Sequence, residues 1–317
     1  WSRINRYLAP VRWDWPGWLP RGFLTVLASE PGTGKSLLCL HLAATYLNRT
    51  PWPDGTPFSG PAGHVIWCES ESSHALNLQR ARAWDLDLER ILSPLKSPLR
   101  NFKIDDRDHV QALLVLAGRP EVRLVVLDSL RGLRRPGRHG GAIEHLLEAI
   151  ADLARITGKP FLLTHHLRKQ AGQSRSGAVT LDHLLGASAI SQVARLVWAV
   201  DTPDPLQPAH RRLSVIKNNL ARVPAPLGFH IHDHGLDFGP PPQPLAVATQ
   251  FDRALVLLRR QLAAGPQPFS QIQAAYHAAG LSERTIRRAK KHLAIRSTRP
   301  PGTTEWHWSL PVEDGQP

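Results

Sequence analysis

Lys35 and Ser36 close a Gly-rich turn, Ser29-Glu30-Pro31-Gly32-Thr33-Gly34. The turn lies between an apolar run (Thr25, Val26, Leu27, Ala28) and an apolar helical stretch carrying Leu37, Leu38, Leu40 and Leu42. A triphosphate site needs this order. Backbone N–H groups of the turn wrap the phosphates, and the N-terminus of the following helix adds its partial positive charge. Lys35 is placed to reach the β- and γ-phosphates, and the Ser36 hydroxyl to ligate Mg²⁺. The nucleotide-binding stretch is expected to comprise Glu30, Pro31, Gly32, Thr33, Gly34, Lys35, Ser36 and Leu37. One position departs from the pattern G-x-x-x-x-G-K-[ST]. Ser29 stands where the first Gly belongs, and its Cβ is expected to hinder unstrained wrapping there.

Three further strand-like runs end in groups suited to the same chemistry. Val122-Arg123-Leu124-Val125-Val126-Leu127 leads to Asp128; an ion shielded only by phosphate oxygens and Ser36 needs a carboxylate beyond it, to hold it or its waters. His64-Val65-Ile66-Trp67-Cys68 leads to Glu69-Ser70-Glu71. Hydrolysis needs a base or polarising group for the attacking water, and residue chemistry leaves Glu71 and Glu69 both open. Phe161-Leu162-Leu163-Thr164 leads to His165-His166. A histidine beside the γ-phosphate could hydrogen-bond it and report hydrolysis to the following loop; a satisfied buried histidine is the alternative for each.

These run ends must be brought to one edge. Strand-like runs at 23–28, 64–68, 123–128, 160–164, 194–200, 212–217 and 227–232 are set among helical stretches at 34–47, 72–84, 107–117, 142–157 and 183–191. Alternation of this kind predicts an α/β fold, a mixed, mainly parallel sheet with helices on both faces. The later strands, unseparated by helices, are expected to extend it as antiparallel hairpins. Residues 1–20, rich in Trp and Pro, read as an extended N-terminal arm, and 21–239 as the α/β domain. Residues 240–247 open on three successive prolines and read as a stiff linker. The remainder, 248–312, reads as a small C-terminal domain. Its helices at 251–263, 270–279 and from the Ser282 cap through Leu293 precede strands at 295–298 and 305–310. Three helices and a two-stranded ribbon make a winged helix.

The 317 residues carry 39 Lys+Arg against 26 Asp+Glu, a formal charge of +13. This excess suits a polyanion partner, nucleic acid first. Arg131, Arg134, Arg135 and Arg138, interspersed with Gly, directly follow the Asp128 strand; Arg168, Lys169 and Arg175 directly follow His166. Such loops suit a sequence-blind grip on single-stranded phosphates. Between residues 251 and 310 there are ten Lys/Arg against three Asp/Glu. In the Ser282-capped helix, Ile286, Ala289 and Leu293 are expected to point inward. That leaves Arg284, Arg287, Arg288, Lys290 and Lys291 for duplex or fork DNA. No run approaches the 18 or so apolar residues of a membrane span, and no apolar signal core opens the chain, so a cytoplasmic protein without membrane contact is expected. Cys39 and Cys68 lack metal-ligand spacing and read as buried thiols.

Taken in order, residues 29–36, Glu69-Ser70-Glu71, Leu127-Asp128-Ser129-Leu130 and His165-His166-Leu167-Arg168-Lys169 resemble the motifs of RecA-like ATPases. Gly186-Ala187-Ser188-Ala189-Ile190 with Ala194-Arg195, then Lys217-Asn218-Asn219 and Pro226-Leu227-Gly228-Phe229, narrow the resemblance. Over roughly residues 10–235 the chain resembles the AAA-family ATPases of plasmids and phages related to the hexameric replicative helicase RepA. The resemblance implies a RecA-like P-loop NTPase core that binds ATP and Mg²⁺. It sets Glu71 at the catalytic glutamate, His166 at the sensor position, and Arg195 and Lys217 among basic residues that reach a neighbouring subunit's γ-phosphate. Such a trans contact stabilises transition-state charge as an arginine finger does. Asn219 stands where many relatives carry a second Lys or Arg, which leaves Arg195, Lys217 or nearby Arg222 to supply that charge. The two basic loops fall where RecA-like proteins keep DNA loops, on the central-channel side of a ring. The function implied is an ATP-dependent DNA helicase acting on single-stranded DNA in replication, a homo-oligomer in the form of a hexameric ring. A recombination or repair ATPase without unwinding, and a DNA-binding regulator using ATP as an assembly switch, are the alternatives.

Overall fold

Runs of β-branched and aliphatic residues bounded by polar ends make the strands of this chain, and periodic apolar faces make its helices. The computed structural model describes residues 10–97, 100–133, 143–167, 179–204, 206–207, 209–243 and 249–311. The chain divides into two units, one of Trp1–Asp201 with Arg211–Pro241, the other of Thr202–His210 with Pro242–Pro317.

The first unit runs β1 (Trp13–Trp15), β2 (Leu19–Pro20), β3 (Leu24–Ser29), α1 (Lys35–Asn48), β4 (His64–Glu69), α2 (His74–Ala83), β5 (Ile91–Leu92), α3 (Arg107–Ala117) and β6 (Val122–Asp128). It continues through α4 (Ile143–Thr157), β7 (Phe161–His166), α5 (Ala187–Val193), β8 (Leu196–Asp201), β9 (His210–Asn218), β10 (Leu227–His232) and β11 (Gly235–Gly239). Nine strands form one sheet in the order β11-β10-β9-β8-β3-β7-β6-β4-β5. The pairs from β8 to β5 are parallel, whereas β9 runs antiparallel to β8, and β11 to β10. The mixed, mainly parallel α/β sheet expected from the alternation is therefore what forms.

Side-chain alternation along each strand divides the core between the two faces. Leu27, Val65, Trp67, Val126, Leu162 and Trp198 pack on one face with Leu38, Cys39 and Leu42 of α1. Val26, Ile66, Cys68, Val125, Leu163 and Val197 pack on the other with Leu113 of α3, Leu147 and Ile150 of α4, and Ile190 of α5. Residues 13–20 depart from the extended arm expected of them. They fold back as the antiparallel pair β1–β2, and Trp15 and Trp18 are fully buried on the α1 face. Trp15 stacks on Trp18 at 4.6 Å and on Trp52 at 5.5 Å, and Trp198 of β8 meets both Trp15 and Trp18 edge-on. Beside them Asp14 accepts a hydrogen bond from Tyr46 at 2.6 Å and pairs with Arg21.

In the second unit, α6 (Gln250–Leu262), β12 (Gln267–Pro268), α7 (Phe269–Ala278), α8 (Glu283–His292), β13 (Arg296–Thr298) and β14 (His307–Ser309) enclose their own core. Leu258, Ile272, Tyr276, Ile286, Ala289 and Trp308 form its centre, with Leu293 packed against them. The strands pair antiparallel in the order β12-β14-β13, one strand more than expected. Thr249 and Asp252 cap α6 reciprocally, and Ser282 caps α8 by accepting from the Thr285 amide.

Candidate functional site

Four adjacent parallel strands deliver the predicted groups to one edge. In the register, Ser29 at the end of β3 lies opposite His166 at the end of β7, and Glu69 at the end of β4 lies opposite Asp128 at the end of β6. The carboxyl ends of parallel strands are where open α/β sheets bind ligands, because helix N-termini and loops converge there.

The turn after β3 starts α1 without any side-chain cap, and its N-cap Gly34 takes a left-handed φ of 101°. A Cβ at Gly34 would be strained by that φ and would fall 2.7 Å from Ile231 Cδ1. The first amides of α1 therefore stay open to an anion. Lys35 is only 7% exposed. Its ammonium donates to the carbonyls of Ser29 (3.3 Å) and Glu30 (3.1 Å) and to Ser29 Oγ (2.9 Å). Among the described residues no carboxylate is in ion-pair contact with it. Burial pushes its pKa down, against the pull of Asp128, Cys39 and Glu71. A buried ammonium served only by neutral oxygens, beside open helix amides, is fit to hold phosphate.

Ser29 does not obstruct this loop. It completes β3 in extended backbone, a conformation any residue adopts. Its hydroxyl accepts from Lys35 and from Thr33 Oγ1 and donates to the Glu30 carbonyl at 2.9 Å. The expected hindrance is absent because the first Gly of the pattern falls at a strand end here, not in the turn.

Around Lys35 the acids divide their work. Glu69 is 5% exposed; its Oε1 accepts from the amides of Ser70 (3.1 Å) and Glu71 (2.9 Å), and its Oε2 from Asn77 Nδ2 (2.9 Å). Glu71 is the freer carboxylate, with a side chain 36% exposed and Oε1 3.8 Å from His166 Nε2. Asp128, 7% exposed, accepts from Thr164 Oγ1 at 2.6 Å; the Asp128–Ser129 peptide is cis. The two histidines also separate. His165 is buried and its Nε2 lies 2.7 Å from the Leu185 carbonyl. His166 faces Glu71, and burial, reinforced by Lys35, lowers its pKa below the ordinary 6.5. Ser36, the second residue of α1, is half-buried. Ser36 and Asp128 supply the hard hydroxyl and carboxylate oxygens that Mg²⁺ prefers.

Ser129, Ser70 and Thr164, which sequence reasoning passed over, hold these groups in place. Ser129 Oγ donates to Glu71 Oε1 at 2.5 Å, and Ser70 Oγ donates to the Ser129 carbonyl at 2.7 Å. Small hydroxyls after a strand carry no spacing signal, since turns use them everywhere.

Arg195 and Lys217 are not part of this edge. Leu196 pairs with Thr25 and Val200 with Ser29, so exposed Arg195 lies at the opposite strand ends, about 16 Å away at ~3.3 Å per residue. Lys217 donates to the carbonyls of Ser191 (2.5 Å) and Ala194 (2.6 Å), closing the end of α5; burial and then Arg195 lower its pKa. Arg222 and Arg131 are exposed. Arg134, Arg135, Arg138, Arg168, Lys169 and Arg175 lie outside the described residues.

On α8, three of the five predicted cations make contacts within the unit. Arg287 pairs with Glu283 at 2.5 Å, Arg288 lies over the Phe251 ring at 4.8 Å, and Lys290 lies over Trp308 at 4.3 Å and donates to Ser297 Oγ. Arg284 and Lys291 are exposed.

Residues 1–172 match the AAA domain family AAA_25. No curated protein sequence matches the chain. Among solved structures the chain is similar to the RadB recombinase, at 17% identity and a TM-score of 0.47, covering 69% of this chain and 91% of that one. It is also similar to a DnaB-like replicative helicase, described with its interactions with primase, at 14% identity and a TM-score of 0.50. That match covers 72% of this chain and 62% of the helicase. The second likeness is one of fold.

Proposed function

The chain belongs to the AAA domain family AAA_25, and on that premise we propose that it is an oligomeric, RecA-like, Mg²⁺-dependent ATPase that translocates on single-stranded DNA as a replicative helicase of the RepA-like type. One observation carries the reading. A buried Lys35, in contact with no carboxylate among the described residues, sits at an uncapped helix N-terminus, on the edge where Asp128, Glu71 and His166 converge. Backbone amides of the turn and Lys35 bind the β- and γ-phosphates. Ser36 and Asp128 would hold Mg²⁺, which would supply neutralisation of charge on the phosphate oxygens. Glu71 takes a proton from the water that attacks the γ-phosphorus, while the bond from that phosphorus to the β–γ bridging oxygen breaks and ADP departs. Neutral His166, beside Glu71, hydrogen-bonds the departing phosphate and passes the change to the residues that follow it.

The site is half of a larger one. Exposed Arg195, at the far ends of the strands from its own P-loop, is suited to a neighbouring copy's γ-phosphate in a hexameric ring. Lys217, engaged by carbonyls of α5, supports that end of the sheet. The basic segments 131–141 and 168–177 grip single-stranded DNA in the ring's channel, and the C-terminal unit acts as a winged helix on duplex or fork DNA through Arg284 and Lys291.

The test is ATP turnover with and without single-stranded DNA, on material of known mass in solution, followed by unwinding of a forked duplex. Stimulation by single strands, a mass of several copies and fork opening are expected, with turnover and unwinding lost in Lys35→Ala. Stimulated turnover without unwinding would replace the helicase by a recombination or repair ATPase. A monomer whose turnover ignores DNA would end the proposal.

A further inference from the structure

We infer that Ser129 is a positioning residue for hydrolysis: its hydroxyl fixes the Glu71 carboxylate so that one oxygen is presented to the attacking water. The inference rests on the reading of Glu71 as base given above. Ser129 is 2% exposed, and both its hydroxyl and its backbone are held. Oγ donates to Glu71 Oε1 at 2.5 Å. The Ser129 carbonyl accepts from Ser70 Oγ at 2.7 Å and from the Gly132 amide at 3.1 Å. Gly132 in turn approaches so closely that a Cβ there would lie 2.3 Å from the Ser70 carbonyl oxygen. Ser129 therefore has little freedom to swing away from Glu71.

Glu71 itself sits on a half-exposed segment and has three side-chain torsions, so without a tether its carboxylate would sample many positions. Two contacts at its ends remove that freedom. Glu69 Oε1 accepts from the Glu71 amide at 2.9 Å, and Ser129 holds the carboxylate. His166 Nε2 approaches the same Oε1 at 3.8 Å. Ser129 is thus the group that holds Oε1, and among the described residues no hydrogen bond reaches Oε2. That oxygen is left to accept the proton of water. A base held in its reacting geometry before the substrate arrives spends no binding energy on being ordered.

The experiment uses the full chain, with Ser129→Ala, Ser129→Thr, Glu71→Gln and the double variant Glu71→Gln/Ser129→Ala. It measures kcat and KM for ATP with saturating single-stranded DNA, and Kd for a fluorescent ATP analogue. Ser129→Ala is expected to lower kcat about ten- to a hundredfold, the range expected of a misplaced catalytic group, with KM and Kd within about twofold of the parent. Ser129→Thr, which keeps the hydroxyl, should restore most of kcat. The double variant should be no slower than Glu71→Gln, because Ser129 acts only through Glu71. Parental kcat in Ser129→Ala overturns the inference, as does a loss that also weakens analogue binding and deepens Glu71→Gln. If Ser129→Thr does not fold in a thermal melt, the double-variant comparison decides. Normal turnover in Glu71→Gln would instead remove the base assignment on which the inference stands.

Discussion

Glu69 and Glu71 stand two residues apart at the end of one strand, yet their surroundings give them different capacities. Every carboxylate oxygen of Glu69 is engaged by an amide or by Asn77, so it shapes the turn that presents Glu71. Replacing Glu71 by Gln should leave ATP binding intact and cut turnover by roughly 10²- to 10⁴-fold, the usual contribution of a general base. Replacing Glu69 by Gln keeps an acceptor for the two amides and should cost turnover less than about tenfold. Steady-state ATPase assays on both variants check the division, and it fails if Glu69→Gln proves the slower. At this scale the sequence is legible wherever chemistry demands a rare residue at a fixed spacing. Lys35, Ser36, Asp128 and the Glu69/Glu71 pair all stood out for that reason. Residue types alone could not rank the two glutamates, and the hydroxyls of Ser129, Ser70 and Thr164 were invisible, because their partners are brought in from other strands.

Between elements, α1 and the β10–β11 hairpin share a titratable contact. His41 of α1 lies 4.9 Å from the Phe238 ring of β11, and burial lowers its pKa from 6.5 to about 4, against the opposing pull of Asp237. The folded value lies below the unfolded one, so the unfolded chain binds the extra proton in between. This contribution to stability is intact above about pH 6.5, fades as the pH falls, and is fully lost below about pH 4. By pH 4 the loss is about 3 kcal/mol. In urea melts at pH 7.5 and pH 4, the fall in stability should be about 3 kcal/mol smaller in His41→Phe than in the parent. Equal falls would show that His41 is not held neutral. The long elements, with their 3.6- and 2-residue periods, are readable to within a few residues, except β11, whose Gly235-Leu236-Asp237-Phe238-Gly239 is not among the strands expected. Residues 13–20 are not readable, since Trp and Pro in a short segment give no period. Only the partners Trp52 and Trp198, distant in sequence, turn that segment into core. The two-residue strands β5 and β12 were missed for a related reason, being too short to carry a pattern.

For the whole molecule, the +13 charge is a poor guide until its members are sorted by what they touch. In the second unit Arg287, Arg288 and Lys290 are in contact with Glu283, Phe251 and Trp308, which leaves Arg284 and Lys291 as the exposed cations of α8 without such a contact among the described residues. Replacing both by Ala in the full chain should weaken duplex binding and reduce the slope of log K against log salt by about 2, one for each phosphate that is no longer neutralised. Titrations at several salt concentrations check this, and an unchanged slope would take α8 off the DNA. The division into units was only partly legible. A proline run advertises a break near residue 240, but the Pro-bearing stretch Thr202–His210 reads only as a connection between two strands, although it groups with the second unit.

The two cysteines, each fully buried and with its thiol pushed toward the protonated form by that burial, lie on opposite faces of the central sheet. Cys39 belongs to the α1 face and Cys68 to the other. An alkylating reagent can reach either sulfur only when its own side of the sheet opens, so the two labelling rates are independent clocks of native-state breathing. One clock counts openings of the helix that carries the phosphate loop. The other counts openings of the layer built from α3, α4 and α5, and both run on natural residues.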